Sequence, residues 1–158
     1  MKYEAFLTIA AALNRKMRIT PLLFGSLGLE RRLGKALNPD DIDVLIPERY
    51  LKADWQRLID LMRESGYALI DEEEHEFARG DTRIAYASIE NLAPFAGVDI
   101  QSIPEVMDQG ASYLLLELPD YLKVYEASSK DGYRKNVKNK QDQLKIDLIR
   151  AALRDAPY

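Results

Sequence analysis

The spacing of apolar positions changes several times along this chain, and each change predicts an element. Phe6, Ile9, Leu13 and Met17 recur at the three- and four-residue spacing of an amphipathic helix. Leu22, Leu23 and Phe24 form a continuous apolar run ended by Gly25-Ser26, which predicts a short buried strand. Leu27, Leu33 and Leu37 stand among charges and predict a short helix over 27–37. Asn38-Pro39 ends it, because the residue before a proline is pushed out of the helical region. Residues 41–46 then alternate. A period of two puts Asp41 and Asp43 on one face of a strand, with Ile42, Val44 and Ile46 on the other.

The pattern continues with a helix over 47–66, striped by Tyr50 or Leu51, Trp55, Leu58, Leu61 and Met62 and closed by Ser65-Gly66. A strand over 67–70 leads into an acidic turn over 71–74. A hairpin of 75–79 and 82–89 is expected around Gly80-Asp81. Residues 97–100 read as a strand, 103–107 as a short helix and 113–118 as extended chain. Pro119-Asp120 opens a helix to about residue 127, with proline in the first turn where its missing N–H does no harm. After a loop over 128–132, a long final helix covers 133–153, with Leu144, Leu148 and Ala151 on its expected buried face.

Strands interleaved with helices predict an α/β protein (α+β in some schemes), a small mixed sheet flanked by helices. A length of 158 residues suits one domain over 1–158, since a domain takes about 100–200 residues. A net charge of −4 gives no overall basic bias toward nucleic acid or membrane. The absence of cysteine excludes disulfides and thiolate chemistry and fits a reducing, cytoplasmic setting. His75 is the only histidine, so the chain lacks the ligands of an all-protein zinc site. No apolar run approaches the ~20 residues of a membrane span. The apolar stretch 5–13 has the length of a signal-peptide core, but Glu4 precedes it and Arg15-Lys16 follow, the reverse of a signal's flanks.

The chemistry concentrates in residues 22–47. Two carboxylates side by side on one strand face repel unless a cation lies between them or one keeps its proton. Gly-Ser at a strand end, a helix, and then Asp-hydrophobic-Asp-hydrophobic resemble the signature of the nucleotidyltransferase superfamily, which includes DNA polymerase beta. Within it the chain is similar to the small antibiotic nucleotidyltransferases of the lincosamide and aminoglycoside type. Those often carry Gly-Gly where this chain has Gly25-Ser26, and the spacer to Asp41 is slightly longer than the commonest superfamily pattern.

That resemblance implies the minimal nucleotidyltransferase fold and a third carboxylate on a later strand. Asp99, flanked by Val98 and Ile100, fits the position. Asp41, Asp43 and Asp99 would then converge on two Mg²⁺ ions ~4 Å apart, a clamp for in-line phosphoryl displacement. Asp41 and Asp43 would bridge the metals, and Asp99 would serve the incoming hydroxyl, also as general base. Gly25 and Ser26 would hold the triphosphate at a helix N-terminus. Lys140, Asp142 and Lys145 resemble a C-terminal lysine–aspartate pattern near the active cleft of related enzymes, so Lys140 and Lys145 are expected phosphate contacts. Lys135, Lys138, Asp142 and Lys145 share one face of the last helix. Arg31, Arg32 and Lys35 read as surface charge. Glu72, Glu73, Glu74 and Glu76 read as a polar hairpin tip with the charge to attract a cationic substrate. The expected function is metal-dependent transfer of AMP from ATP, or of another nucleoside monophosphate from its triphosphate, to a hydroxyl. The acceptor would be a small molecule such as an antibiotic, or else a protein or tRNA end. The alternative is a module of the same fold that binds nucleotide or a partner without turnover.

Overall fold

Three residues suffice for the first strand, β1 (Leu22–Phe24), because it lies inside the sheet, with Leu22 and Leu23 both fully buried. In the computed structural model, which describes residues 1–130 and 139–155 with the side chains of 139 and 140 left aside, β1 runs straight into helix α2 (Gly25–Leu33). Gly34, in the left-handed conformation, ends α2 four residues before the expected stop. Glu30 then accepts the backbone N–H groups of Leu37 and Asn38 at 2.7 and 3.2 Å, holding the following loop against the helix. That loop delivers the chain to β2 (Ile42–Ile46), antiparallel to β1, with Ile42, Val44 and Ile46 buried as alternation requires.

Ahead of this unit, α1 (Lys2–Ala12) continues through a widened turn to Met17 and buries Phe6, Ile9, Leu13 and Met17 as expected. After β2, the expected helix over 47–66 divides. A 3₁₀ turn (Glu48–Leu51) stops where Lys52 leaves helical geometry, and α3 (Trp55–Glu64) restarts with Leu58, Leu61 and Met62 buried. Next come β3 (Ala68–Asp71), then the hairpin β4 (Glu76–Arg79) and β5 (Thr82–Ser88) around Gly80-Asp81.

The expectations for 97–107 need correction. A short helix, α4 (Leu92–Ala96), is capped by left-handed Gly97. Residues 97–100 are not a strand: the Asp99 carboxylate accepts the N–H of Gln101 and starts a 3₁₀ turn over Ile100–Ser102. An aspartate bonding to backbone two residues ahead makes a turn that competes with strand pairing. Nor is 103–107 a helix. Pro104 keeps Ile103 extended, and Glu105–Asp108 is β6, paired with β7 (Ala111–Leu114). Gln109 and Gly110 both take positive φ, the requirement of a tight hairpin turn.

Two helices complete the described chain, α5 (Leu118–Lys130) and α6 (Asn139–Asp155), packed on each other. The expected helix residues 133–138 lie outside the described residues. On α6 the expected buried face is rotated: Asp142, Ile146 and Ile149 point inward, while Leu144 is 64% exposed. Asp142 is fully buried and accepts a hydrogen bond from Ser128 of α5 at 3.0 Å. The described strands form a seven-stranded mixed sheet in the order β3-β4-β5-β2-β1-β7-β6. No described helix is long and apolar enough to cross a membrane.

Candidate active site

The site is built where β1 turns into α2. Gly25 adopts φ +66°, and a side chain there would collide with the Asp43 carboxylate, so glycine is what lets that carboxylate lie against the first turn of α2. The opening N–H groups of a helix have no partner within it. Here they stand beside a carboxylate that the antiparallel register brings level with the end of β1, Phe24 opposite Asp43. Gly28, one turn on, makes room for the Tyr121 hydroxyl, which donates to the Leu23 carbonyl at 3.1 Å. Burial pushes the Tyr121 phenol far above its ordinary range, so it remains a neutral donor that ties α5 to the strand end.

A cleft of ≈ 700 Å³ opens over this junction, within the range of ligand pockets. Gly25, Ser26, Asp40, Asp41 and Asp43 all line it. Asp41, one residue before β2, and Asp43 flank buried Ile42, as the alternating pattern requires. The same cleft is lined by Ala85 of β5, beside Asp43, by Glu76 of β4 and Glu74 of the turn before it, and by Tyr125, Ser128, Gln141 and Lys145 from α5 and α6. The Lys145 ammonium lies 5.2 Å from the centre of the Tyr125 ring. Lys140, by contrast, lies outside the residues whose side chains are described.

Among the described residues the cleft gathers five carboxylates and one lysine. A triphosphate would be repelled by such a surface unless a divalent cation came with it. The donors are all oxygen, the preference of Mg²⁺. Asp99 does not line the cleft, and among the described residues no three acidic or imidazole groups are gathered to hold a metal. Asp99 caps its own turn instead, so the structure does not bring it into the cleft with Asp41 and Asp43. Asp41 and Asp43 offer oxygen donors of the kind Mg²⁺ takes, and phosphate oxygens and water commonly complete the shell of this ion.

The part of the cleft lined by β4 and β5 was not read from the sequence. Glu76 pairs with Ala85 across β4–β5, and Ala85 pairs with Asp43 across β5–β2. Directly paired residues share a sheet face, so Asp43, Ala85 and Glu76 form one row. The hairpin was legible, but its alignment with β2 was the signal needed, and strand periodicity does not supply that.

No protein-family model matches the chain. It is 44% identical over 153 residues to "Uncharacterized protein YnaI" of Bacillus subtilis (strain 168), covering 97% of this chain and 98% of that one. In fold it is similar to an antigenic nucleotidyltransferase-like protein from Paracoccidioides brasiliensis, with a TM-score of 0.62 at 16% identity over 92% of this chain and 74% of that one. It is also similar to the antibiotic-resistance factor ANT(2'')-Ia in solution, with a TM-score of 0.54 at 17% identity over 98% and 93%. The crystal structure of ANT(2")-Ia in complex with adenylyl-2"-tobramycin gives 0.52 at 14% identity over 98% of both chains. The fold expected from Gly25-Ser26 and Asp41-Ile42-Asp43 is the fold observed.

Proposed function

We propose, from the premise that the chain belongs to the family of Bacillus subtilis YnaI and has the nucleotidyltransferase fold, that it transfers a nucleoside monophosphate to a hydroxyl of a small acceptor. The donor is a nucleoside triphosphate, most simply ATP. The observation that carries this reading is the Asp43 carboxylate set against Gly25 at the start of α2, inside a cleft that also holds Ser26 and Asp41.

Each residue has a role that follows from its chemistry. Gly25 and Ser26 hold the phosphates, the backbone through its N–H groups and the serine through its hydroxyl. Asp41 and Asp43 would hold a divalent cation, which supplies Lewis-acid polarisation of a phosphoryl oxygen when bound. Lys145, in the same cleft, offsets phosphate charge. The acidic lining favours an acceptor that is itself cationic, and the volume of the cleft favours a small molecule over a protein or tRNA end. One structural neighbour was crystallised with adenylyl-2"-tobramycin, which supports an adenylyl donor and this acceptor class.

A second reading, a nucleotide-binding module without turnover, draws support from the position of Asp99 outside the cleft. Calorimetric titration with Mg-ATP, run beside a pyrophosphate-release assay, separates the two. Binding with release supports the transferase. Binding without release leaves the module, and absence of binding overturns both.

A further inference from the structure

The transfer leaves one requirement that neither Asp41 nor Asp43 meets. The acceptor hydroxyl must lose a proton as it attacks. Attack at the α-phosphorus is in line, so the hydroxyl approaches from the side opposite the departing pyrophosphate. The triphosphate cradle is at the β1–α2 junction, at one end of the row that crosses β1, β2, β5 and β4. The acceptor therefore belongs toward β5 and β4.

We propose that Glu76 is the general base of this reaction, a role the sequence resemblance assigned to Asp99. Glu76 stands two strands from Asp43 on the same sheet face, about 10 Å away between backbones at the usual strand spacing. Between them is Ala85, whose methyl group leaves open the space a hydroxyl acceptor would occupy. Glu76 lines the cleft, and its side chain is only 17% exposed. Its Oε1 is buried without a hydrogen bond among the described residues. Arg83 is its nearest cation, at 3.7 Å, too long for a hydrogen bond, and the arginine side chain is more than half exposed. Among the described residues no hydrogen-bond donor therefore competes for the Glu76 carboxylate, and its less buried oxygen is the one a substrate hydroxyl could reach.

The inference rests on the transferase reading and deepens it. In the step, the acceptor oxygen bonds to the α-phosphorus, and the bond from the α-phosphorus to the oxygen that bridges it to the β-phosphorus breaks. Pyrophosphate leaves with that electron pair, and the hydroxyl proton passes to the Glu76 carboxylate and then to solvent.

The test is single-turnover release of pyrophosphate from Mg-ATP with water as the acceptor, with the Kd for Mg-ATP measured separately. Glu76→Gln preserves shape and is expected to slow release by about 100-fold or more, the weight of a general base. Its Kd should stay within about threefold of wild type, since the loss falls on the chemical step. Adding Ala85→Asp to Glu76→Gln returns a carboxylate to the same row, one strand nearer, and should recover at least about tenfold of the rate. Glu76→Gln that turns over like wild type overturns the inference. So does a variant whose rate falls only as far as its Mg-ATP binding weakens. Asp43→Asn separates the two levels: if it is slow while Glu76→Gln is normal, the transferase stands and the Glu76 base falls. No pyrophosphate from wild type removes both.

Discussion

The two walls of the cleft are made in different ways. The phosphate-side wall is contiguous: Gly25, Ser26, Asp41 and Asp43 fall within one β–α–β passage, and a single glycine conformation joins its two halves. The opposite wall is assembled. Glu76 and Ala85 come from a hairpin beyond α3, and Tyr125, Ser128, Gln141 and Lys145 from helices near the C-terminus. A contiguous wall is fixed by local sequence, and in the proposed function it is the part that holds phosphate. An assembled wall can change residue by residue without disturbing the first. In the proposed function, the identity of the acceptor belongs to that second group of residues.

Perturbing the two walls should therefore give unequal results. The largest effect is expected from Asp43→Asn. It keeps shape but removes a metal-ligand charge, and a Lewis-acid metal contributes several kcal/mol, on the order of a thousandfold in turnover. Pyrophosphate release should nearly vanish while the circular-dichroism spectrum and melting temperature stay close to wild type. Gly25→Ala should come next. The new methyl group would meet the Asp43 carboxylate at a left-handed backbone position. Left-handed geometry costs about 1–2 kcal/mol and the overlap about 1–3 kcal/mol more, visible as a lower denaturation midpoint together with reduced turnover. Ser26→Ala removes only a hydroxyl and leaves the backbone donors. Triphosphate affinity should fall by about 1.5–3 kcal/mol, read by calorimetry, with stability unchanged. The smallest effect is expected at Asp99→Asn. Asparagine can accept the same Gln101 N–H, so stability should move by less than about 0.5 kcal/mol and turnover not at all. A large loss of turnover there would redraw the acceptor wall.

The same division explains how much could be read from sequence. The phosphate wall is local, so period-two alternation over residues 41–46 and the Gly25-Ser26 punctuation located it, with α2 starting two residues early, at Gly25 itself, and ending early at the Gly34 cap. The acceptor wall depends on register between distant strands. Glu76 looked like a hairpin tip because nothing in the chain states that Ala85 lies opposite both it and Asp43. Asp99 looked like a strand carboxylate because valine and isoleucine flank it, yet its own side chain caps a turn. The strand β6 was mistaken for a helix because the turn signal, Gln109-Gly110, lies after it rather than within it. Asp142 was assigned to a charged face by helical spacing, although packing of α6 on α5 buries it against Ser128.

Phosphorus-31 NMR of Mg-ATP incubated with wild-type protein tests the central claim most directly, because it shows which phosphoanhydride bond breaks. The ATP signals are expected to be replaced by pyrophosphate together with either free AMP, a phosphomonoester, or an adenylylated acceptor, a phosphodiester, and no such change is expected with Asp43→Asn. ADP and inorganic phosphate as the products, or ATP left intact by protein that binds it, would contradict it.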